Sequence, residues 1–192
     1  MSDKEPFDVL LLVTELLDEL GVLYVLGGSL ASTAYGQTRT TMDADVVADL
    51  RTHQVKAFVL ALQDQFYVDE GAAADAIQRK GSFNLLHLDT MFKVDIFIPK
   101  DRLFDQQQLA RRRARTIYDN PVQKIWFVSP EDIILAKLEW FRLGGEVSER
   151  QWRDVLGVIR TQGDQLDHAY LRQWATLLNV ADLLEVALQD KS

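Results

Sequence analysis

The sequence predicts an α/β fold, α+β in arrangement, that becomes wholly helical over its last third. Three observations predict it. Residues Met91 to Ile98 alternate, with Phe92, Val94, Ile96 and Ile98 on one side and Lys93 and Asp95 on the other, the pattern of a strand with one buried face. Val22 to Leu26 is a short apolar run between Gly21 and Gly27, which reads as a buried strand. From Ser129 onward, helix starts and stops follow one another with no strand between them. The expected organisation is a core over residues 1–128 and a helical region over 129–192, with a soft boundary that also admits one compact unit.

The elements follow in order. FDVLLLVTELLDEL, residues 7–20, lies between Pro6 and Gly21, a helix with proline in its first turn and glycine past its end. After the 22–26 strand, Ser29 is placed to cap a short helix through Tyr35, ended by Gly36. Asp43 to Leu50 reads as the next strand. Thr52 to Phe66 carries Val55, Phe58, Val59 and Leu62 at helical spacing. The stretch after Gly71, AAADAIQRK, fits a short helix or an irregular excursion. Strand character returns over Phe83 to Leu88, then in the alternating 91–98 segment. One or two shorter strands are expected over 116–128, with Asn120-Pro121 as a turn.

The helical part opens at Ser129-Pro130-Glu131-Asp132, where cap, proline and first-turn acids stand in order, and Gly144-Gly145 stops it. Ser148 and Gln151 form a capping-box pattern for the next helix, which Gly163 closes; two short helices fill 167–190. Trp126, Trp140, Trp152 and Trp174 are expected to pack in the core or between helices.

Composition narrows the function. The chain has 192 residues, 47% hydrophobic and 26% charged, enough for a real core. It has no cysteine, which excludes disulfides and cysteine-based zinc sites, and its three histidines form no ligand pair at helical spacing. No apolar run reaches membrane-spanning length, and MSDKEPFD lacks the pattern of a signal peptide, so a cytoplasmic protein is expected. A net charge of −8 argues against a surface that holds nucleic acid everywhere. Charge is uneven, however: Lys93 to Arg115 holds seven Lys/Arg against three Asp. The run Arg111-Arg112-Arg113-Ala114-Arg115 is either a solvated helix end or a phosphate-contacting edge.

The chemistry centres on carboxylates. Asp43 and Asp45 stand two apart in a strand, so both leave the same face about 7 Å apart, and Lys93 and Asp95 do likewise on another. If those strands are neighbours, three carboxylates converge and repel, and a divalent cation relieves the repulsion. Mg²⁺ fits best, since it takes hard oxygen ligands and is completed by substrate phosphates. Gly27 and Gly28 permit close backbone approach, and the helix starting at Ser29 offers free N–H groups to an anion. A calcium-binding EF-hand is excluded, because Val47 and Ala48 fall where a ligand and the required glycine belong.

Gly28-Ser29, thirteen intervening residues and Asp43-Ala44-Asp45-Val46 together resemble the hG[GS]…Dh[DE]h signature of the polymerase-β-like nucleotidyltransferase superfamily. Asp95 in Lys-Val-Asp-Ile-Phe is similar to that superfamily's third carboxylate. The resemblance covers residues 20–100 and is nearest to small bacterial AbiEii-toxin-like and minimal nucleotidyltransferase proteins, which often carry Arg and Thr where Arg39 and Thr41 stand. Lys137 and Arg153-Asp154 resemble a looser second pattern, with Gly157 in place of a frequent acid.

The resemblance implies a mixed sheet flanked by helices and transfer of NMP from a nucleoside triphosphate to an acceptor hydroxyl. Asp43, Asp45 and Asp95 would hold two Mg²⁺ ions, or Mn²⁺, and carry catalysis; Gly27, Gly28, Ser29, Arg39 and Lys137 would hold the nucleotide. The acceptor would be an RNA end or a protein, with an antitoxin-like partner as a further expectation. The alternatives are a non-catalytic module that binds nucleotide or a partner, and a small-molecule transferase of the antibiotic-modifying kind. Residue by residue, Asp95 could instead serve an ion pair with a nearby Lys or Arg, Arg39 could face solvent, and Lys137 could snorkel past Ile134, Leu138 and Phe141.

Overall fold

The computed structural model describes residues 6–35 and 42–190. Among them the chain separates into two units, one formed by residues up to 27 and from 42 to 127, the other by 28–35 and 128–190.

The first unit holds the strands, those expected at 22–26, 43–50, 83–88, 91–98 and 116–128 and one that was not. Helix α1 (Pro6–Glu19) leads to β1 (Tyr24–Leu26), and β2 (Asp43–Ala48) is followed by α3 (Thr52–Leu62), β3 (Phe66–Tyr67), α4 (Glu70–Arg79), β4 (Ser82–His87) and β5 (Lys93–Phe97). Helix α5 (Leu103–Ala110), β6 (Arg113–Asp119) and β7 (Val122–Phe127) complete it; α2 (Gly28–Tyr35) belongs to the second unit. The seven strands form one mixed sheet in the order β3-β4-β5-β2-β1-β7-β6. β2 runs parallel to β5, β1 runs parallel to β7, and the other neighbours are antiparallel.

One face of this sheet is the core. Ala44, Val46, Val94, Ile96 and Leu85 are fully buried there, and Phe58 of α3 meets Phe83 of β4 edge-on, with ring centroids 6.4 Å apart. Each large aliphatic side chain so buried contributes about 1.5–3 kcal/mol. The alternation that hides these residues turns Asp43, Asp45, Lys93 and Asp95 to the other face, where they are only half-buried.

Several elements differ from expectation for local reasons. The helix starting at Thr52 stops at Leu62, and Phe66, expected as its last residue, joins Tyr67 in the edge strand β3, paired with His87 and Leu86. The stretch after Gly71 is a regular helix, because the Asp69 carboxylate caps it by accepting from the Ala72 N–H at 2.7 Å. The arginine run is mainly strand: Arg111 caps α5, while Arg113 and Arg115 lie on the sheet's outer strand β6.

The second unit is helical: α2, expected within the 1–128 core, groups with α6 (Pro130–Leu143), α7 (Glu149–Gln162), α8 (His168–Leu177) and α9 (Ala181–Gln189), the helices expected after Ser129. Ser129 caps α6 by accepting from the Asp132 N–H at 3.1 Å, and Ser148 caps α7 by accepting from the Gln151 N–H at 3.3 Å. Helix α2 begins at Gly28, so Ser29 lies in its first turn rather than capping it. Ile134, Leu138 and Phe141 form the buried stripe of α6, and Phe141 packs on Trp152 of α7 at 5.4 Å. Trp140 departs from expectation. One position before Phe141 on the helix, it is turned about 100° from that stripe and is 57% exposed.

Candidate active site

The register of two strands decides what the acidic residues can do. Along the parallel pair, Asp43 stands beside Lys93 and Asp45 beside Asp95. Strands in a sheet lie about 4.8 Å apart, so three carboxylates and one ammonium share a single patch of the exposed sheet face. The neighbourhood on which the acidic cluster depended is therefore present.

The pairing continues outward in rows. Asn84 of β4 stands beside Asp95, Leu86 stands beside Lys93, and Tyr67 of β3 stands beside Leu86. The Lys93 backbone N–H donates to the Met42 carbonyl at 3.2 Å, extending the ladder just past the start of β2.

Charge balance in the patch is local. The Lys93 ammonium lies 2.7 Å from one Asp95 oxygen, so the alternative ion-pair role for Asp95 is realised. That hydrogen bond pushes the Lys93 amine above the usual lysine range against a partial desolvation, and the charges of Asp95, Asp43 and Asp45 add to the rise. Among the described residues no group of three acidic or histidine side chains is drawn around a common point where an ion would sit. Three carboxylates repel one another in the absence of such an ion, and the ammonium is a closer source of positive charge. The donor set still suits magnesium: hard carboxylate oxygens, two from one strand and one from its neighbour in register.

Backbone geometry supports the glycine turn. The Gly27 N–H donates to the Asp45 carbonyl at 2.8 Å, tying the end of β1 to the acidic strand. Gly28 adopts φ of 58°, a conformation open to glycine and costly for other residues, so the chain turns there into α2.

The remaining predicted residues lie in the second unit or outside the described residues. Ser29 accepts a hydrogen bond from the guanidinium of Arg150 at 3.3 Å. Arg150 carries no sequence signal, since an exposed arginine near a helix start fits any amphipathic pattern. Lys137 does not snorkel to solvent; its ammonium pairs with Asp154 at 2.8 Å, and both side chains are largely buried. This pairing gives Asp154 a structural part, joining α7 to α6. Arg39 and Thr41 lie outside the described residues.

Neither a protein-family model nor a curated protein sequence matches the chain. Solved structures do resemble it. An antigenic nucleotidyltransferase-like protein from Paracoccidioides brasiliensis is 20% identical, with a TM-score of 0.57 over 98% of this chain and 94% of that one. The lincosamide antibiotic adenylyltransferase LnuA, in its lincomycin-bound form, is 18% identical, with a TM-score of 0.50 over 82% of this chain and 96% of that one. The antibiotic-resistance factor ANT(2'')-Ia is 12% identical, with a TM-score of 0.57 over 95% and 99% of the two chains. The chain, with its seven-stranded mixed sheet flanked by helices, shares its fold with these structures.

Proposed function

We propose that the protein is a magnesium-dependent nucleotidyltransferase that moves NMP from a nucleoside triphosphate to an acceptor hydroxyl. The observation that carries this reading is the register that sets Asp45 beside Asp95, with Asp43 one pleat away on the same face. Three carboxylates in so small an area repel one another, and a divalent cation relieves that repulsion. The fold shared with nucleotidyltransferases supports the same reading.

Asp43, Asp45 and Asp95 are the residues that would hold Mg²⁺. When bound, the metal would offset phosphate charge and lower the pKa of the acceptor hydroxyl. Asp95 would also accept the proton of the attacking hydroxyl at a carboxylate oxygen. Gly27, Gly28, Ser29, Arg39 and Lys137 keep the nucleotide-binding roles that the signature gives them. For Lys137 that role requires it to exchange the Asp154 carboxylate for phosphate, both being hard anionic oxygen partners of an ammonium.

The acceptor we propose is an RNA end or a protein hydroxyl, in the manner of the toxin-type proteins that the signature resembles, with an antitoxin-like partner and a cytoplasmic setting. A second reading, a small-molecule transferase, is favoured by a specific observation: the lincosamide antibiotic adenylyltransferase LnuA and the antibiotic-resistance factor ANT(2'')-Ia share the fold, and a net charge of −8 suits a cationic small molecule.

The test is incubation of the purified protein with each α-labelled nucleoside triphosphate, Mg²⁺ and total RNA, cell lysate or an aminoglycoside and lincosamide panel. Label is expected to pass to one acceptor class, and Asp43→Ala is expected to abolish transfer. Transfer that is unchanged in Asp43→Ala would refute the assignment.

A further inference from the structure

The open sheet face does not stop at the carboxylates. Beyond Asp95 the register leads outward to Asn84 on β4, and one pleat along the same face Lys93 is followed by Leu86 and then by Tyr67 on β3. Phe83, Leu85 and His87 of β4 are buried on the core side, so Asn84 and Leu86 share the face of the trio. Asn84 is exposed, Leu86 is half-buried, and Tyr67 leaves 63% of its surface in water. We propose that Tyr67, Leu86 and Asn84 form the acceptor subsite, a neutral platform on which the last base of a single-stranded RNA end stacks while its ribose hydroxyl lies at Asp95.

Spacing and chemistry choose this occupant. Tyr67 lies two strands and one pleat from Asp95, roughly 12 Å between backbones at ordinary sheet spacings, a gap that one nucleotide bridges with ribose at one end and base at the other. A flat aromatic ring beside an aliphatic side chain suits the face of a nucleobase, and such stacking tolerates any base. The open-face residues of β4 and β3, Ser82, Asn84, Leu86 and Tyr67, carry no charge. A cationic small molecule therefore finds no anionic partner on the platform, and a long run of phosphates finds no cation there. The Asn84 amide, next to Asp95, has both a donor and an acceptor for the ribose or the base edge. An acceptor so placed forms a bond from its hydroxyl oxygen to the α-phosphorus, pyrophosphate leaves with the electrons of the broken bond, and the proton passes to Asp95. This inference rests on the nucleotidyltransferase reading and narrows its acceptor to one of the classes named there.

The test measures binding of a short oligouridylate, labelled at its 5′ end with fluorescein, in Mg²⁺ without nucleoside triphosphate, and in parallel the passage of α-labelled nucleotide to its 3′ end. Wild type is expected to bind it, and Tyr67→Ala to bind about tenfold more weakly, with KM for the oligonucleotide raised to match and kcat little changed. Tyr67→Phe and Tyr67→Trp should bind as wild type does, because the ring stays. An oligonucleotide whose 3′-terminal residue lacks its base should lose about tenfold on wild type and nothing further on Tyr67→Ala, the coupling expected of two groups in contact. Asn84→Ala, at a second exposed position, should weaken binding about fivefold. Leu60→Ala removes a comparably exposed apolar side chain from α3, on the core side of the sheet, and should change nothing.

If Tyr67→Ala folds poorly, Tyr67→Leu compared with Tyr67→Phe carries the same coupling measurement. Losses that add independently for the missing ring and the missing base would overturn the proposal. Label passing to a protein or a small molecule, with KM for that acceptor unmoved in Tyr67→Ala, would overturn it while leaving the transferase reading intact. Coupled binding with no label transferred to any acceptor would overturn the transferase reading and leave the platform as a site for an RNA end.

Discussion

The two units place acidic side chains in opposite circumstances. On the sheet face of the first, Asp43, Asp45 and Asp95 are half-buried, crowded together and balanced in part by Lys93. In the second, Asp132 is fully buried, and each carboxylate oxygen has a hydroxyl donor: the Ser129 hydroxyl at 2.8 Å and the Tyr170 hydroxyl at 2.6 Å. Glu131, also buried, accepts from the Asp167 N–H at 3.2 Å. A buried carboxylate with both oxygens satisfied holds α6 and α8 together and has nothing left to offer a ligand. The open-face trio is half-buried rather than sealed in the interior, so its carboxylates lie at the surface of the sheet.

The contrast can be broken in several ways. The largest expected effect is on chemistry: Asp45→Ala should reduce NMP transfer at least about a thousandfold. Its melting temperature should stay equal or rise, because a repelling charge is removed. A clear drop in melting temperature would mean that the trio is structural after all. Next, Asp132→Ala should cost about 3 kcal/mol in urea denaturation, since it strands two buried hydroxyls. Transfer per folded molecule should persist. Loss of transfer with undiminished stability would erase the distinction between the two settings.

Tyr170→Phe removes one of those hydroxyls and should cost about 1–2 kcal/mol by the same measurement, less than the loss of the carboxylate. The smallest effect concerns Asp182, whose two oxygens accept from the Arg142 guanidinium at 2.8 and 2.7 Å. That hydrogen bonding holds its pKa below the usual aspartate range. A depressed carboxylate pKa contributes stability above the ordinary aspartate value and loses it as pH falls through the lowered one. The melting-temperature difference between wild type and Asp182→Asn should therefore be small at pH 7 and fade only in strong acid. A difference that grows on acidification would have the wrong sign.

Parts of this arrangement were legible in the sequence and parts were not, for identifiable reasons. The alternation from Phe92 to Ile98 gave β5 and its buried face directly, and Ser129-Pro130 marked the start of α6, because both signals are local. Helix α5 left no such trace: its buried positions are Phe104, Asp105, Gln108 and Leu109, two of them polar. Asp105 is tolerated there because the Arg102 guanidinium meets it at 2.8 Å. The two-residue strand β3 is too short to carry a period, so Phe66 read as helix.

For the candidate site, residue identities were readable while their juxtaposition was not. Parallel pairing of β2 with β5 depends on a crossover through α3, β3, α4 and β4, and no short-range pattern encodes which strands become neighbours. The same holds for Lys137. Its place beside an apolar row was visible, whereas Asp154 reaches it from another helix.

That crossover also governs when the acidic patch can exist. Asp43 and its strand neighbour Lys93 are separated by fifty positions, so a chain still emerging from the ribosome displays the glycine turn and the first two acids well before their partner strand. Any fragment ending ahead of Lys93 carries the recognisable half of the signature without its third acid. Screens that score short peptides or early truncations for nucleotide handling would accordingly pass over this protein, since the feature they seek is assembled only by the finished sheet.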